Sequence, residues 1–447
     1  MSAPARQPAG AADGPSALAR ARRAWCLYDW ANSAFATTVM AALFPPFFRQ
    51  LALAAGRSES GATALWGYVT AAGLLLTAVL SPPLGALADA GGTRKRWLAA
   101  TAAAGVALTA LLATLGGARW PAAALLYTGA SLAFSLSIVF YESLLPHLAA
   151  GPALDALSAR AYGLGYAGGG LLLVFNLACV LKPGWFGLGG VGAAVRASFL
   201  TVAAWWAVFS LPLLRRVPEP PAAAAARPGA ALRQLGATFR EIRRFRDLGL
   251  LLAAYWVYND GIGTIVKMAT AVGAELGIGL PHLLGALVLT QAVGVPSSYL
   301  FAAAARRVGA RALVLGALAG YALITVGALF LRTAAHFYLL AAAVGLVQGG
   351  AQALSRSLFA SMVPRHRAAE FFGFFGASGR LAGVAGPLVF GLAAQAGGGG
   401  RLGVVALLVF FVAGALLLLK VDPAAGQAAA REAERQAGWT APDGSAS

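Results

Sequence analysis

Twelve apolar runs of helix length fall into two sets of six, separated by one Arg-rich segment from Arg215 to Asp247. A hydrocarbon core about 30 Å thick needs roughly 20 helical residues to cross it, and inside it only helices and closed barrels satisfy every backbone polar group. The runs cover about 24–48, 63–88, 97–117, 121–147, 158–181, 196–214, 248–272, 281–305, 312–331, 335–362, 369–395 and 402–420. None shows strand-like alternation. The expected fold is therefore an all-α membrane protein with twelve transmembrane helices in two pseudo-symmetric six-helix bundles. Only 11% of residues are charged and 59% are hydrophobic, against about 25% charged in a soluble domain, so lipid must solvate most of the surface.

In a soluble chain the formal net charge of +18 would suggest a nucleic-acid partner. Position decides otherwise here. Most of the 34 Lys and Arg sit in the two tails and the even-numbered loops, and such loops stay on the cytoplasmic side. Both termini are expected in the cytoplasm, with no nucleic-acid partner. The stretch from Arg20 to Arg23 imitates a secretory signal, but the run from Ala24 to Phe48 is too long for a signal core and contains Asp29 and Asn32. Arg outnumbers Lys 30 to 4, a bias of GC-rich bacterial genomes that points to a bacterial inner (plasma) membrane. Cys26 and Cys179 lie in apolar surroundings without metal or redox spacing and read as packing residues.

The pattern divides the chain into a cytoplasmic N-terminal tail (1–23), a first six-helix bundle (24–214), a cytoplasmic Arg-rich linker (215–247), a second bundle (248–420) and a cytoplasmic C-terminal tail (421–447). Both tails are expected to be disordered. Within the linker Leu232, Leu235, Phe239 and Ile242 recur at helical spacing, which suits a helix on the membrane surface. An internal repeat supports the division. At an offset of about 217 residues Gly85 to Arg94 aligns with Ala302 to Arg311, pairing Gly92 with Gly309 and Arg94 with Arg311, while Asp89 meets Arg306. Parallel halves of this kind place a substrate site at their interface near the midplane.

The spacing Gly85-x-Leu87-x-Asp89-x-x-Gly92-x-Arg94-Lys95 is that of the cytoplasmic loop signature of the major facilitator superfamily. Glycine permits the tight turn, and Asp89 can cap a helix end or pair with a cation during closure. Gly85, Asp89, Gly92, Arg94 and Lys95 are therefore the gating candidates, although Thr93 stands where a basic residue is usual. Four further blocks are more specific: Trp25 to Phe35 (WCLYDWANSAF), Tyr258 to Gly261 (YNDG), Gly349 to Ser357 (GGAQALSRS) and Ala369 to Phe374 (AEFFGF). Together they resemble the vacuole-effluxer-like branch of the superfamily, over about Trp25 to Lys420. The resemblance implies twelve helices, alternating access and secondary transport, and its eukaryotic members are associated with amino-acid efflux from vacuoles. Gly163, Gly165 and Gly168 match a dinucleotide-binding pattern, yet no strand precedes them, and inside helix five they read as packing glycines.

A charged group at the centre of a membrane helix costs about 2.5–3.5 kcal/mol unless it is paired or hydrated. Asp260 and Arg380, near the middle of helices seven and eleven, are thus candidates for a charged centre that recognises substrate or a coupling ion. Asp29, Asn32, Glu142 and Arg356 lie nearer the cytoplasmic ends and join them, and Tyr28, Tyr258 and Gln352 are candidates for lining the cavity. The four histidines lack metal-ligand spacing and no Walker loop is present, so neither an enzyme, a metal nor a cofactor is expected. The expected function is secondary active transport of a small polar solute, amino acids among the candidates, by a monomer in the lipid bilayer, driven by a proton or sodium gradient or by substrate flow. Two rivals make different demands. A lipid or amphiphile translocator favours a laterally open apolar cavity, and a non-transporting receptor or scaffold gives no reason for costly buried charges.

Overall fold

The computed structural model describes residues 15–221, 245–381, 385–393 and 399–439. Each apolar run becomes helical, since a backbone in lipid has no other partner for its N–H and C=O groups. The first run is a rod of three parts: α1 (Pro15–Ala34), a π-helical stretch (Phe35–Leu43) and α2 (Phe44–Ala54). It begins well before Ala24, because the Leu-, Ala- and Arg-rich residues ahead of it are strong helix formers. The other spans of the first set are α3 (Glu59–Gly91), α4 (Arg94–Leu112), α5 (Trp120–Ser143) with the single turn α6 (Leu145–Leu148), α7 (Pro152–Leu181) and α8 (Val191–Arg216).

The second set comprises α9 (Arg246–Glu275), α10 (Leu280–Val308), α11 (Ala310–Gly327), α12 (Ala334–Met362) and two further spans. One is described over α13 (Ala368–Leu381) and α14 (Ala385–Ala393), the other over α15 (Gly399–Ala406) and α16 (Leu408–Leu418). Among the described residues seven helices are individually long and apolar enough to cross a membrane. The remaining spans carry charged residues or breaks. Outward-facing side chains such as Leu125 and Leu323, 75% and 74% exposed, suit contact with lipid tails.

One expectation fails at the C-terminus. The tail is ordered over α17 (Pro423–Gln436), which turns 62° away from α16. Asp422 caps it by accepting from the N–H groups of Ala424 and Ala425 at 2.9 and 3.2 Å. Gly426 presses on the Met362 side chain and Gln427 Nε2 donates to Ser361 Oγ at 3.3 Å. A cap and a docked face offset the ordering entropy that polar composition alone leaves unopposed. The amphipathic half of the Arg-rich linker, with Leu232, Leu235, Phe239 and Ile242, lies outside the described residues.

Arg94, Arg365 and Arg367 gather at one end of the bundle, the basic end, where the turn after α3 meets the loop after α12, and α10 finishes on Arg306 and Arg307. Across the centre, α3 packs on α13 while α7 packs on α10 and α12. The α3–α13 crossing brings backbones into contact: a methyl group at Gly373 would sit 2.6 Å from the Ser81 carbonyl oxygen, and one at Gly85 would overlap the Ala369 carbonyl.

Candidate functional site

Polar contacts between the two sets of helices form layers that begin at the basic end. In the outermost, Gly92 ends α3 in a left-handed conformation (φ 56°) that returns the chain directly into α4. The reversal lays Arg94 on Asp89, with Nε donating to Oδ1 at 2.5 Å and both side chains almost fully buried. The same carboxylate accepts from the N–H groups of Ala369 and Glu370 at 3.1 and 2.8 Å. These are first-turn donors of α13, where the helix dipole favours an anion. Arg94 Nη2 donates to the carbonyls of Arg365 and His366 at 3.0 and 3.2 Å, and its Nη1 meets His147 Nε2.

The loop that Arg94 grips is held from its other side as well. Arg367 pairs with Glu370 through two hydrogen bonds at 2.9 and 3.1 Å. Glu434 of α17 accepts from the Arg365 N–H at 2.7 Å, and the Trp439 ring lies 5.9 Å from the Arg365 guanidinium and 6.1 Å from the His147 ring. Burial, with Arg367 and Arg94 alongside, pushes the His366 pKa from 6.5 down to about 4. Lys95 stands apart from this layer. Its N–H reaches Glu219 at 2.8 Å and its Nζ reaches the Val217 carbonyl at 2.6 Å, so it ties α4 to the end of α8.

Deeper by less than two turns of α12 sits Arg356, 1% exposed. Its Nη1 donates to Asp29 at 3.0 Å, its Nε and Nη2 donate to the hydroxyl and carbonyl of Ser158 at 2.9 Å each, and Glu142 lies 3.9 Å away. The guanidinium also faces Tyr162, Trp25 and Tyr141 at 4.1, 5.1 and 5.8 Å from their ring centroids, an arrangement that stabilises a desolvated cation. All of these partners belong to α1, α5 or α7. Arg356 therefore fastens α12 to the first set of helices, with two carboxylates sharing one cation.

The other sequence candidates distribute around this layer. Tyr258 hydroxyl and Ser355 hydroxyl are 2.6 Å apart, and Tyr166 donates to Gln352 at 3.2 Å. Tyr28 is fully buried and packs 4.9 Å from Tyr141. Asn32, 3% exposed, leaves its Nδ2 without a partner among the described residues. Asp260 accepts from the Gly386 N–H of α14 at 2.9 Å. The side chain of Arg380 lies outside the described residues, so the pair expected between it and Asp260 is not described. Ser158, Tyr141 and Tyr162 had no signal in the sequence; Trp25 stands at the head of the WCLYDWANSAF block.

Beyond Arg356, away from the basic end, a cavity of about 290 Å³ opens between the π-helical stretch, α7, α9, α10 and α12. Its lining is mostly aliphatic, with Thr37, Thr290, Gln291 and Gln348 supplying the polar atoms. Neither Tyr28, Tyr258 nor Gln352 is among the lining residues. Thr37 helps hold the irregular helix, its hydroxyl meeting the carbonyls of Ser33 and Gly169 at 3.0 and 3.2 Å. Such π-helical segments recur at functional sites. Among the described residues no group of three or more His, Cys, Asp or Glu is placed to hold a metal.

A family model described as "Vacuole effluxer Atg22 like" matches residues 19–431. The chain belongs to this family. It is 37% identical over 402 residues to the MFS-type transporter YxiO of Bacillus subtilis (strain 168), covering 88% of this chain and 93% of that protein. Autophagy-related protein 22-1 of Aspergillus niger is 27% identical over 298 residues, which cover 61% of this chain and 48% of the fungal protein. The chain thus spans about half the length of that relative. Among solved structures, the proton:xylose symporter XylE bound to 6-bromo-6-deoxy-D-glucose gives a TM-score of 0.66 at 15% identity, covering 91% of this chain and 95% of XylE. The human organic anion transporter MFSD10 gives 0.65 at 18% identity, covering 90% and 99%. The architecture is the major facilitator fold, and the chain is a multi-pass membrane protein of a transporter family, not an enzyme.

Proposed function

We propose that the chain is a secondary active transporter that moves a small organic solute across a bacterial inner membrane by alternating access. The basic end, and with it both termini, faces the cytoplasm, and residues 24–214 and 248–420 act as the two moving bundles of a monomer. One observation carries the reading: among the described residues the polar layers that join the two sets of helices lie on the basic side of the cavity, which supports a state closed at that end with the cavity in the opposite half. Asp89 and Arg94, with Gly85 and Gly92 shaping their turn, form an outer gate, and Arg356 with Asp29 and Glu142 forms an inner one.

Energy comes from a proton or sodium gradient. The test is solute uptake or efflux in sealed vesicles carrying the full chain, under an imposed proton or sodium gradient, combined with cysteine accessibility from both faces. Accessibility that never alternates between the two ends, with or without a gradient, would sink the proposal.

A further inference from the structure

The gates leave the cavity itself without an assigned chemistry, and its polar atoms are unequal. The Thr290 hydroxyl hydrogen is committed to backbone carbonyls, those of Ala286 and Ala341 at 3.0 and 3.1 Å, as that of Thr37 is to Ser33 and Gly169. Gln348 lines the cavity, and its Oε1 is buried with no hydrogen-bond partner among the described residues. Gln291, also in the lining, offers both amide donors and an acceptor, so the acceptor that stands unmatched is the Gln348 oxygen. A buried acceptor left unmatched is disfavoured, so the site calls for a donor. Among the described lining residues none is charged. Arg356 is eight residues from Gln348, about 12 Å along the α12 axis, and is already engaged with Asp29 and Ser158.

We infer that this cavity takes an uncharged solute with an apolar body and at least one hydrogen-bond donor, and that Gln348 Oε1 recognises that donor. The inference rests on the transport reading for its biological setting, but its chemistry is that of the cavity alone. A carboxylate or ammonium placed against this aliphatic wall would be desolvated with no opposite charge among the described lining residues to meet it. Size restricts the class further. At about 290 Å³ the cavity is at the small end of the roughly 300–1,000 Å³ typical of small-molecule sites, which admits one compact solute and not a two-chain lipid.

Four probes with one isobutyl body separate the charge classes: N-acetyl-leucinamide (neutral), leucinamide (cation), N-acetylleucine (anion) and leucine (zwitterion). Each is titrated against the purified full-length protein, with binding read as saturable protection from thermal unfolding. The neutral probe should bind, and each charged probe should need at least about tenfold higher concentration. Gln348→Leu, which keeps the shape and removes the acceptor, should weaken the neutral probe about tenfold. Gln348→Glu should move the preference to leucinamide, a switch that a merely structural role for this side chain does not produce. Equal or tighter binding of any charged probe to the parent protein, or no binding of the neutral one, overturns the inference, as does a probe order unmoved by either variant. The transport reading fails separately: if two-sided accessibility never alternates yet the neutral probe still binds, the site stands and the transporter does not.

Discussion

Replacing Arg356 with Met keeps a long apolar stem and deletes the guanidinium at the centre of the inner gate. Three hydrogen bonds at 2.9–3.0 Å go with it, one to Asp29 and two to Ser158, each reaching from α12 to α1 or α7. Asp29 and Glu142 are then left buried without this cation, and stripping one partner from a buried pair costs about 3–5 kcal/mol. The penalty falls on the state sealed at the basic end, because water reaches both carboxylates once the helices part there. We therefore expect the equilibrium to move toward an open basic end by about 10²–10⁴-fold. The assay places a cysteine at Ala351, fully buried in the sealed state, in a background with Cys26 and Cys179 replaced by Ala. Labelling by an impermeant maleimide applied to inside-out vesicles should accelerate at least about tenfold, and Asp29→Asn added to Arg356→Met should recover part of the parental rate. An unchanged labelling rate accompanied by a lower melting temperature would mean that Arg356 braces both states alike, and the gate argument would be wrong.

Asp89→Asn removes the anion that pairs with Arg94 and caps α13, so basic-end labelling should rise by about 1–2 kcal/mol of shifted equilibrium, less than for Arg356→Met; equal labelling would dismiss the outer gate. Deleting residues 423–447, or combining Glu434→Ala with Trp439→Ala, should loosen the loop at Arg365 and raise labelling while the protein still reaches the membrane, which surface biotinylation reports. His366 has its pKa depressed to about 4 by burial and by Arg367 and Arg94, so the folded loop resists a proton that the opened loop accepts. The contribution of His366 to the sealed end should thus be full above about pH 6.5 and be lost as pH drops from there toward 4, and His366→Asn should remove that part of the pH dependence in labelling measured across the same range. For topology, cysteines replacing Lys95 and Trp185 should react from opposite faces of the membrane in intact cells and inside-out vesicles; reaction from one face would break the orientation.

Helix-length apolar runs and the Gly85-to-Lys95 turn were legible in the sequence because each depends on local chemistry: hydropathy over about 20 residues, and a glycine able to take φ near 56° at position 92. Partners separated by hundreds of residues were not. Asp29, Glu142 and Arg356 stood out one at a time as buried charges, but their convergence depends on how α1, α5 and α12 meet, which periodicity does not encode. Asp260 shows the same limit from the other side, since one of its partners is the Gly386 backbone N–H, a donor that no side-chain pattern marks. The C-terminal helix was missed because composition counts its polarity and not the surface waiting for it. Gln348 was passed over because an uncharged amide in a helix carries no cost visible in sequence; its meaning lies in one oxygen without a donor.

The separation of gate from cavity constrains how a solute can influence closure. Gln348 is about 12 Å from Arg356 along α12, too far for a neutral solute to perturb the inner gate by direct contact. What lies between is tightly packed. The Tyr166 ring of α7 occupies the space left by Gly294 and Gly349, each of which would meet it within 3.2 Å if it carried a methyl group, and the Tyr166 hydroxyl reaches Gln352 one turn short of Arg356. On the binding proposed above, a solute that drew Gln348 toward it would move α12 against this ring, and because packed interiors shift between discrete arrangements and do not deform continuously, the displacement would be delivered to α7 and α10 together. Tyr166 is thus the one described side chain touching the solute-side glycines and the gate-side amide at once, and charge in the cavity is not needed for the two ends to be coupled.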